Sequence, residues 1–148
     1  MQVRMLASAL ALAGLLGAGA AQAAPEADMV RQAAMATRFQ PFDAGAGPEW
    51  EAAFPSPTFR TVAEGDRDAA SLTLTAGAYM VVVLCNCEQM DATLVAPDGS
   101  TPPPSRVNDQ GAMYSIDASQ AGSYLVGVDM HGCAESPCDF AIKTWRRK

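Results

Sequence analysis

The sequence contains Ala76-Gly77-Ala78-Tyr79-Met80-Val81-Val82-Val83, and a second stretch, Ala121-Gly122-Ser123-Tyr124-Leu125-Val126-Gly127-Val128, repeats its pattern. In each stretch Ala-Gly is followed by Tyr-x-Val-x-Val, which is the alternation of a β-strand with one buried face. Because side chains alternate across a strand, the tyrosine and both valines of each copy lie on one face, which we assign to the interior. The repeat predicts two similar units that face each other across one core.

Strand patterns continue on both sides of these two stretches. Short alternating segments recur with Gly, Pro, Asp and Asn between them, which is typical of a sandwich. We therefore predict an all-β fold, an antiparallel β-sandwich of jelly-roll-like form, over residues 58–148. The predicted strands are 58–62, 71–75, 79–87, 91–96, 112–117, 124–130 and 139–145.

The N-terminal part of the chain has a different character. Residues 1–23 combine one basic residue, an apolar stretch and a closing Ala-Gln-Ala, which is the pattern of a cleavable signal peptide. Residues 24–57 are rich in Ala, Pro and Gly and predict a helical or irregular arm, with a short helix over 26–38. We expect Trp50 and Phe54 to pack back onto the sandwich.

Composition argues against two classes of function. Ten Lys and Arg residues stand against 16 Asp and Glu, giving a net charge of −6, whereas nucleic-acid binding needs clustered positive charge. No apolar segment after the signal peptide approaches the about 20 residues that a membrane-spanning helix needs. We therefore expect a periplasmic or secreted protein with no nucleic-acid partner and no transmembrane segment after cleavage.

The cysteines predict disulfides. Cys85, Cys87, Cys133 and Cys138 are an even number in a chain with an export pattern, which favours two disulfide bonds. A bond between Cys85 and Cys87 would close a very small ring, and disulfide geometry disfavours it. We expect each of these two to pair with Cys133 or Cys138, and both such arrangements stay open. The third arrangement makes Cys133–Cys138 a local clip of one loop.

The same residues define an alternative metal site. The four cysteines, together with His131, could gather soft ligands for Cu or Zn, although their spacing matches no C-x2-C zinc pattern. Because an oxidising compartment favours disulfides, we predict no metal and no cofactor. Loop oxygens that could bind Ca²⁺ lack the spacing of a calcium loop, and we assign most of them to turns. These candidates are Asp91, Asp98, Asn108 and Asp109.

We predict no catalytic residues. His131 is the only histidine, and the sequence contains no G-x-S-x-G elbow, no P-loop and no G-x-G-x-x-G after a strand. Catalysis by a cysteine would need a free thiol, and all four thiols have expected partners. The chain is therefore not expected to be an enzyme.

Several of these segments together resemble a known family, the bacterial pre-peptidase C-terminal domain. They are the two Ala-Gly-x-Tyr stretches, Asp91-Ala92-Thr93-Leu94 leading to Pro97-Asp98-Gly99-Ser100, and the closing strand. The resemblance covers about residues 58–145 and implies a jelly-roll-like sandwich that serves secreted proteins as a non-catalytic accessory domain. The chain departs from the family pattern because it contains no peptidase and has four cysteines.

These observations lead to one expected function and one alternative. We expect a non-catalytic, exported accessory or binding domain of the bacterial cell envelope. Its partner is an unknown protein, peptide or glycan, which we expect to contact loops at one end near Trp50 or Tyr114. The alternative is a periplasmic metal-binding (Cu or Zn) or redox protein that uses the cysteines and His131.

Overall fold

The computed structural model describes residues 20–119, 121–133 and 137–148. Most of the predicted signal peptide, residues 1–19, lies outside these residues. Two helices precede a series of antiparallel strands, so the predicted all-β sandwich is confirmed. The elements are α1 (Ala20–Thr37), α2 (Gln40–Ala46), β1 (Trp50–Ala52), β2 (Thr58–Val62), β3 (Arg67–Leu74), β4 (Gly77–Cys85), β5 (Cys87–Val95), β6 (Arg106–Asn108), β7 (Gly111–Ala118), β8 (Gly122–Cys133) and β9 (Cys138–Arg147).

The strands form two sheets. The larger sheet has the order β1-β9-β4-β7-β6, and β2 pairs with the same edge of β9 that β1 uses further along the strand. The smaller sheet has the order β3-β8-β5, so β8 is its central strand. The two repeated stretches lie in different sheets, one in β4 and the other in β8, as two units facing across one core require.

The core lies between the two sheets and confirms the assignment of the inward faces. The tyrosine and both valines of each repeated stretch are buried in one apolar cluster, and all six side chains are at most 4% exposed. Burying a side chain of this size stabilises the fold by roughly 1.5–3 kcal/mol, so these two ribbons are a major source of stability. They are Tyr79, Val81 and Val83 from β4, and Tyr124, Val126 and Val128 from β8.

The repeated Ala-Gly has a conformational cause. Gly77 has φ 155° and Gly122 has φ 156°, a backbone conformation that residues with side chains rarely adopt. A Cβ at Gly122 would also lie 2.9 Å from Cγ of Pro97. The same turn therefore leads into each ribbon, and glycine is required at both places.

The predicted strand over residues 79–87 is wrong at one end, because the chain turns at Asn86. β4 ends at Cys85 in the larger sheet and β5 begins at Cys87 in the smaller sheet. The turn is fixed against β9, where the Asn86 amide donates to the Asp139 carbonyl at 3.0 Å and the Asp139 amide donates to Asn86 Oδ1 at 2.7 Å. One continuous apolar run in the sequence thus crosses from one sheet to the other.

The N-terminal arm packs on the outer face of the larger sheet. Phe39, at the junction of α1 and α2, is completely buried beside Trp145, with 6.3 Å between the ring centroids. Arg38 donates to the Cys85 carbonyl, and the Asp43 carboxylate accepts from Lys143 Nζ at 2.6 Å and from Trp145 Nε1 at 3.1 Å. The predicted helix is confirmed, whereas the second helix was not predicted.

Two aromatic residues that follow α2 pack back onto the sandwich. Trp50 and Phe54 are both partly buried against the apolar clusters, as predicted. Neither helix, over the residues described, is long and apolar enough to cross a membrane.

Candidate functional site

The two sheets differ in what covers their outer faces. The arm covers much of the larger sheet, where Val82, Leu84 and Trp145 form an apolar cluster with Phe39. The outward side of β3, β8 and β5, which we call the open face, carries exposed side chains along all three strands. In the described part of the chain, the open face is therefore the broad sheet surface available to a partner.

A row of charged residues crosses the open face. The strand register places Arg67 opposite Asp129, and Asp129 opposite Asp91. Arg67 Nε donates to Asp129 Oδ2 at 2.8 Å, and His131 Nε2 lies 3.4 Å from Asp129 Oδ1. The carboxylate of Asp91 takes part in no hydrogen bond or ion pair among the residues described. It is exposed and free to meet a cationic group.

The next row along the open face is built from small residues. Ala69, Gly127 and Thr93 lie opposite one another. Gly127 and Thr93, together with Asp91 and Asp129 of the charged row, line a shallow groove of about 420 Å³. A Cβ placed on Gly127 would have Thr93 O as its nearest neighbour, at 3.9 Å. Glycine here is thus not demanded by packing within the fold, and its absence of a side chain is what keeps the groove open.

The surroundings of the groove are acidic. Arg67 is the only Lys or Arg in the three strands, which also contain Asp68, Glu88, Asp91 and Asp129. The turn over residues 64–66 adds two more carboxylates, and its central amide donates to the Met130 carbonyl at 3.3 Å, which holds the turn beside β8. Excess negative charge on one face favours cationic partners.

The three strands of the face present no Phe, Tyr or Trp to solvent. The one such residue in them is Tyr124, which is buried in the core. Exposed groups in the rows beyond the groove are hydroxyls, such as the Ser71 and Ser123 pair at 2.5 Å, and the half-exposed Leu125. Chemically, the face offers carboxylate and hydroxyl oxygens above a flat strip of backbone.

The structure corrects the expected pairing of the cysteines. All four form disulfides, but the bonds are Cys85–Cys87 and Cys133–Cys138, so the expected cross-pairing is wrong. In a regular strand, the Cα atoms of residues i and i+2 are about 6.6 Å apart. The turn at Asn86 brings the Cα atoms of Cys85 and Cys87 to 5.3 Å. This separation suits a disulfide.

The four cysteines of the alternative metal site lie at one end of the sandwich, whereas His131 is exposed and contacts Asp129. Cys87 lies opposite Cys133 in the ladder of β5 and β8, and His131 is on the same strand as Cys133. The sulfurs are bonded to each other, and a disulfide does not supply the thiolate that binds a metal. No group of three or more metal-binding residues occurs among the residues described, and metal binding by the reduced protein stays a prediction.

Two of the residues considered as Ca²⁺ ligands accept hydrogen bonds within their own turns. Asp98 Oδ1 accepts from the Ser100 amide at 2.9 Å, and Asn108 Oδ1 accepts from the Gln110 amide at 3.0 Å. Asp91 lies on the open face, away from these loops. The assignment of Asp98 and Asn108 to turns is therefore confirmed.

Of the two aromatic residues expected at a binding surface, the structure buries Tyr114 and leaves Trp50 partly exposed. Tyr114 is a core residue whose hydroxyl donates to the Ala92 carbonyl at 2.8 Å, and burial raises its pKa above the ordinary value of a tyrosine. The prediction that it contacts a partner is wrong, because β7 turns it inward. Trp50 is partly buried, with the Arg147 guanidinium 5.6 Å from its ring centroid.

A second surface depression lies at the margin of the arm. It has a volume of about 440 Å³ and is lined by apolar residues such as Phe42, Leu84 and Val107, with Arg106 beside them. Leu84 and Phe42 already belong to the cluster that holds the arm. This depression is the edge of an internal interface, and we regard the open face as the stronger candidate site.

Comparison with known proteins adds no assignment. No protein-family model matches the sequence, and no curated protein matches it at a significant level. The resemblance to the pre-peptidase C-terminal domain stays a prediction. The candidate site therefore depends on the geometry of the open face.

Proposed function

We propose that this chain is an exported, non-catalytic binding domain of the bacterial cell envelope, which holds an extended cationic segment of a partner protein on its open face. The observation that carries the proposal is the exposed, unpaired carboxylate of Asp91 next to the Gly127 groove. The groove lies on the smaller sheet, which the described part of the arm does not cover.

The chemistry of the face favours a peptide over a glycan. An extended peptide can lie along the strip of small residues while its basic side chains reach Asp91 and Asp129. Carboxylates and hydroxyls could also bind sugar hydroxyls, but the three described strands of the face offer no exposed Phe, Tyr or Trp ring on which a sugar could stack. A glycan is accordingly the competing outcome of the test.

The charge of Asp91 can be tested with a matched pair of variants. Asp91→Asn removes the free carboxylate, and Asp117→Asn removes an exposed carboxylate from β7 in the other sheet. The probe is a short synthetic peptide of alternating lysine and threonine, measured by calorimetry. We expect Asp91→Asn to weaken binding about twofold to fivefold at low salt, the range of an exposed ion pair, and added salt to reduce the difference.

The outcome for Asp117→Asn completes this test. We expect it to bind as the unaltered protein does, because Asp117 lies on β7 of the larger sheet and not on the open face. Equal weakening by both variants would indicate a general effect of net charge. Binding of a cell-wall oligosaccharide, with no binding of the cationic peptide, would replace the proposed partner by a glycan.

The groove can be tested separately from the charge. Gly127→Val places a β-branched side chain where the nearest heavy atom to the new Cβ is 3.9 Å away, so the fold should accept it. We expect unchanged or slightly higher stability and at least tenfold weaker peptide binding. A variant that binds the peptide as well as the original would show that the ligand does not occupy the groove.

Export is tested by the mass of the protein recovered from the envelope. Cleavage after Ala23 would remove the first four residues of α1 and leave Arg31, Met35, Arg38 and Phe39, which attach the arm. We expect a mature N-terminus at Ala24. Recovery of the full-length chain from the cytoplasm alone would contradict the proposed location.

A further inference from the structure

The two disulfides share one corner of the sandwich. β4 ends at Cys85, the chain turns at Asn86, and β5 begins at Cys87 directly opposite Cys133 of β8. Cα atoms of directly opposed residues in an antiparallel pair are about 4.5–5.5 Å apart, which lies within the range of a disulfide. A bond between Cys87 and Cys133 thus needs no rearrangement of the strands.

The four cysteines differ in their exposure to solvent. Cys85, Cys87 and Cys138 are at most 2% exposed, whereas Cys133 is only partly buried. A thiolate from outside must approach a disulfide sulfur directly to attack it. Cys133 is therefore the most exposed cysteine of this corner, and we take it as the point of attack by an external thiol.

We propose that the corner is a thiol–disulfide exchange site, in which reduction by a dithiol replaces the two local disulfides by a single Cys87–Cys133 bond. In the first step a thiolate of the dithiol attacks Cys133 Sγ. The Cys133–Cys138 bond breaks, and Cys138 leaves as a thiolate that takes up a proton. The second thiol of the reagent then forms the reagent's own disulfide and releases Cys133 as a thiolate.

The second step lies within the protein. The Cys133 thiolate attacks Cys87 Sγ across the ladder, the Cys85–Cys87 bond breaks, and Cys85 leaves as a thiolate that takes up the second proton. The dithiol is oxidised by two electrons. The protein, reduced by two electrons, retains one disulfide, Cys87–Cys133, and holds two thiols, Cys85 and Cys138.

The register of β4 and β9 explains why the two remaining thiols, Cys85 and Cys138, do not form a disulfide with each other. Cys85 lies opposite Phe140, so Cys138 is its diagonal neighbour on β9. Diagonal neighbours have Cα atoms about 7–8 Å apart, beyond the usual range of a disulfide. The Cys87–Cys133 bond, in contrast, joins strands through residues far apart in sequence, which constrains the unfolded chain more than either local bond.

One titration tests the proposal on the whole protein. The oxidised chain is treated with one equivalent of dithiothreitol, the thiols are alkylated, and peptide mapping identifies the labelled and bonded cysteines, with the untreated chain as control. We expect alkylation of Cys85 and Cys138 and a Cys87–Cys133 disulfide. Labelling of Cys133 and Cys138 while the Cys85–Cys87 bond stays intact would overturn the proposal. Labelling of any other pair of cysteines would overturn it as well.

A variant tests the internal step without a reductant. Cys138→Ala leaves Cys133 without its partner, and we expect Cys133 to displace Cys85, giving a Cys87–Cys133 bond and a free Cys85. A free Cys133 beside an intact Cys85–Cys87 bond would also refute the exchange. Because Cys138 is buried and its loss could impair folding, the titration of the unaltered chain decides the matter if this variant does not fold.

Discussion

Phe39 gives the sharpest test of how the arm is held. Its ring is completely buried between the arm and the larger sheet, beside Trp145, which is also buried. Truncating a fully buried phenylalanine to alanine typically costs about 3–5 kcal/mol. Since the arm can close part of the cavity by shifting on the sheet, we expect Phe39→Ala to cost about 3 kcal/mol of unfolding free energy, a fall in melting temperature of about 10 °C.

The assay is urea unfolding followed by tryptophan fluorescence and by circular dichroism. Phe39→Ala should lower the midpoint and move the emission of Trp145 towards that of a solvated indole. Val30→Ala is the matched control, because Val30 belongs to α1 but is 64% exposed, and it should change stability by less than about 0.5 kcal/mol. Equal midpoints for the two variants, with unchanged emission, would refute the packing described for the arm.

Two other predictions follow from single side chains. Thr144 Oγ1 is buried with no hydrogen-bond partner among the residues described. Thr144→Val should therefore leave the free energy of unfolding unchanged or raise it by up to about 1 kcal/mol. A loss of about 2 kcal/mol or more in urea unfolding would contradict this. The Ser100 hydroxyl and amide hold the pKa of Asp98 below its ordinary value. The stabilising contribution of these bonds is thus present above the unfolded pKa and lost as pH falls through the folded pKa. In a carboxyl NMR titration, Ser100→Ala should raise that pKa, and an unchanged midpoint would contradict the cause given.

The fold could be predicted from the sequence where local pattern and burial agree. Tyr79 and Tyr124 begin ribbons whose alternation alone assigns the inward face, and the structure buries both. The glycines before them, at positions 77 and 122, share a backbone conformation that explains the repeat. These features depend on residues within a few positions of each other, which is the range over which a sequence pattern is informative.

The cysteine pairing could not be predicted in the same way. Residues 79–87 are apolar along most of their length, and a single Asn within such a run does not by itself show that the strand is interrupted there. The interruption is stabilised by Asp139, a residue far along the chain. The turn at Asn86 bends the backbone between Cys85 and Cys87 and brings their Cα atoms to 5.3 Å, and this bend allows the small ring to close.

The open face was missed because it depends on strand order. Alternation already places Asp91 and Thr93 on one side of their strand, and Gly127 and Asp129 on one side of another. Only the pairing of β5 with β8 brings these residues into adjacent rows, and that pairing is non-local. The arm, which leaves this face bare and covers the other, follows from Phe39 packing on Trp145, a contact that no local pattern shows.

The most direct test of the proposed binding role is a map of the bound surface. The isotope-labelled protein is titrated with the lysine–threonine peptide, and amide shifts are followed by NMR. We expect the largest changes at Thr93, Gly127 and Asp129, with little change in α1 and α2. Changes centred instead on Val107 and Met113, beside the depression of the larger sheet, would contradict the assignment of the open face as the binding surface.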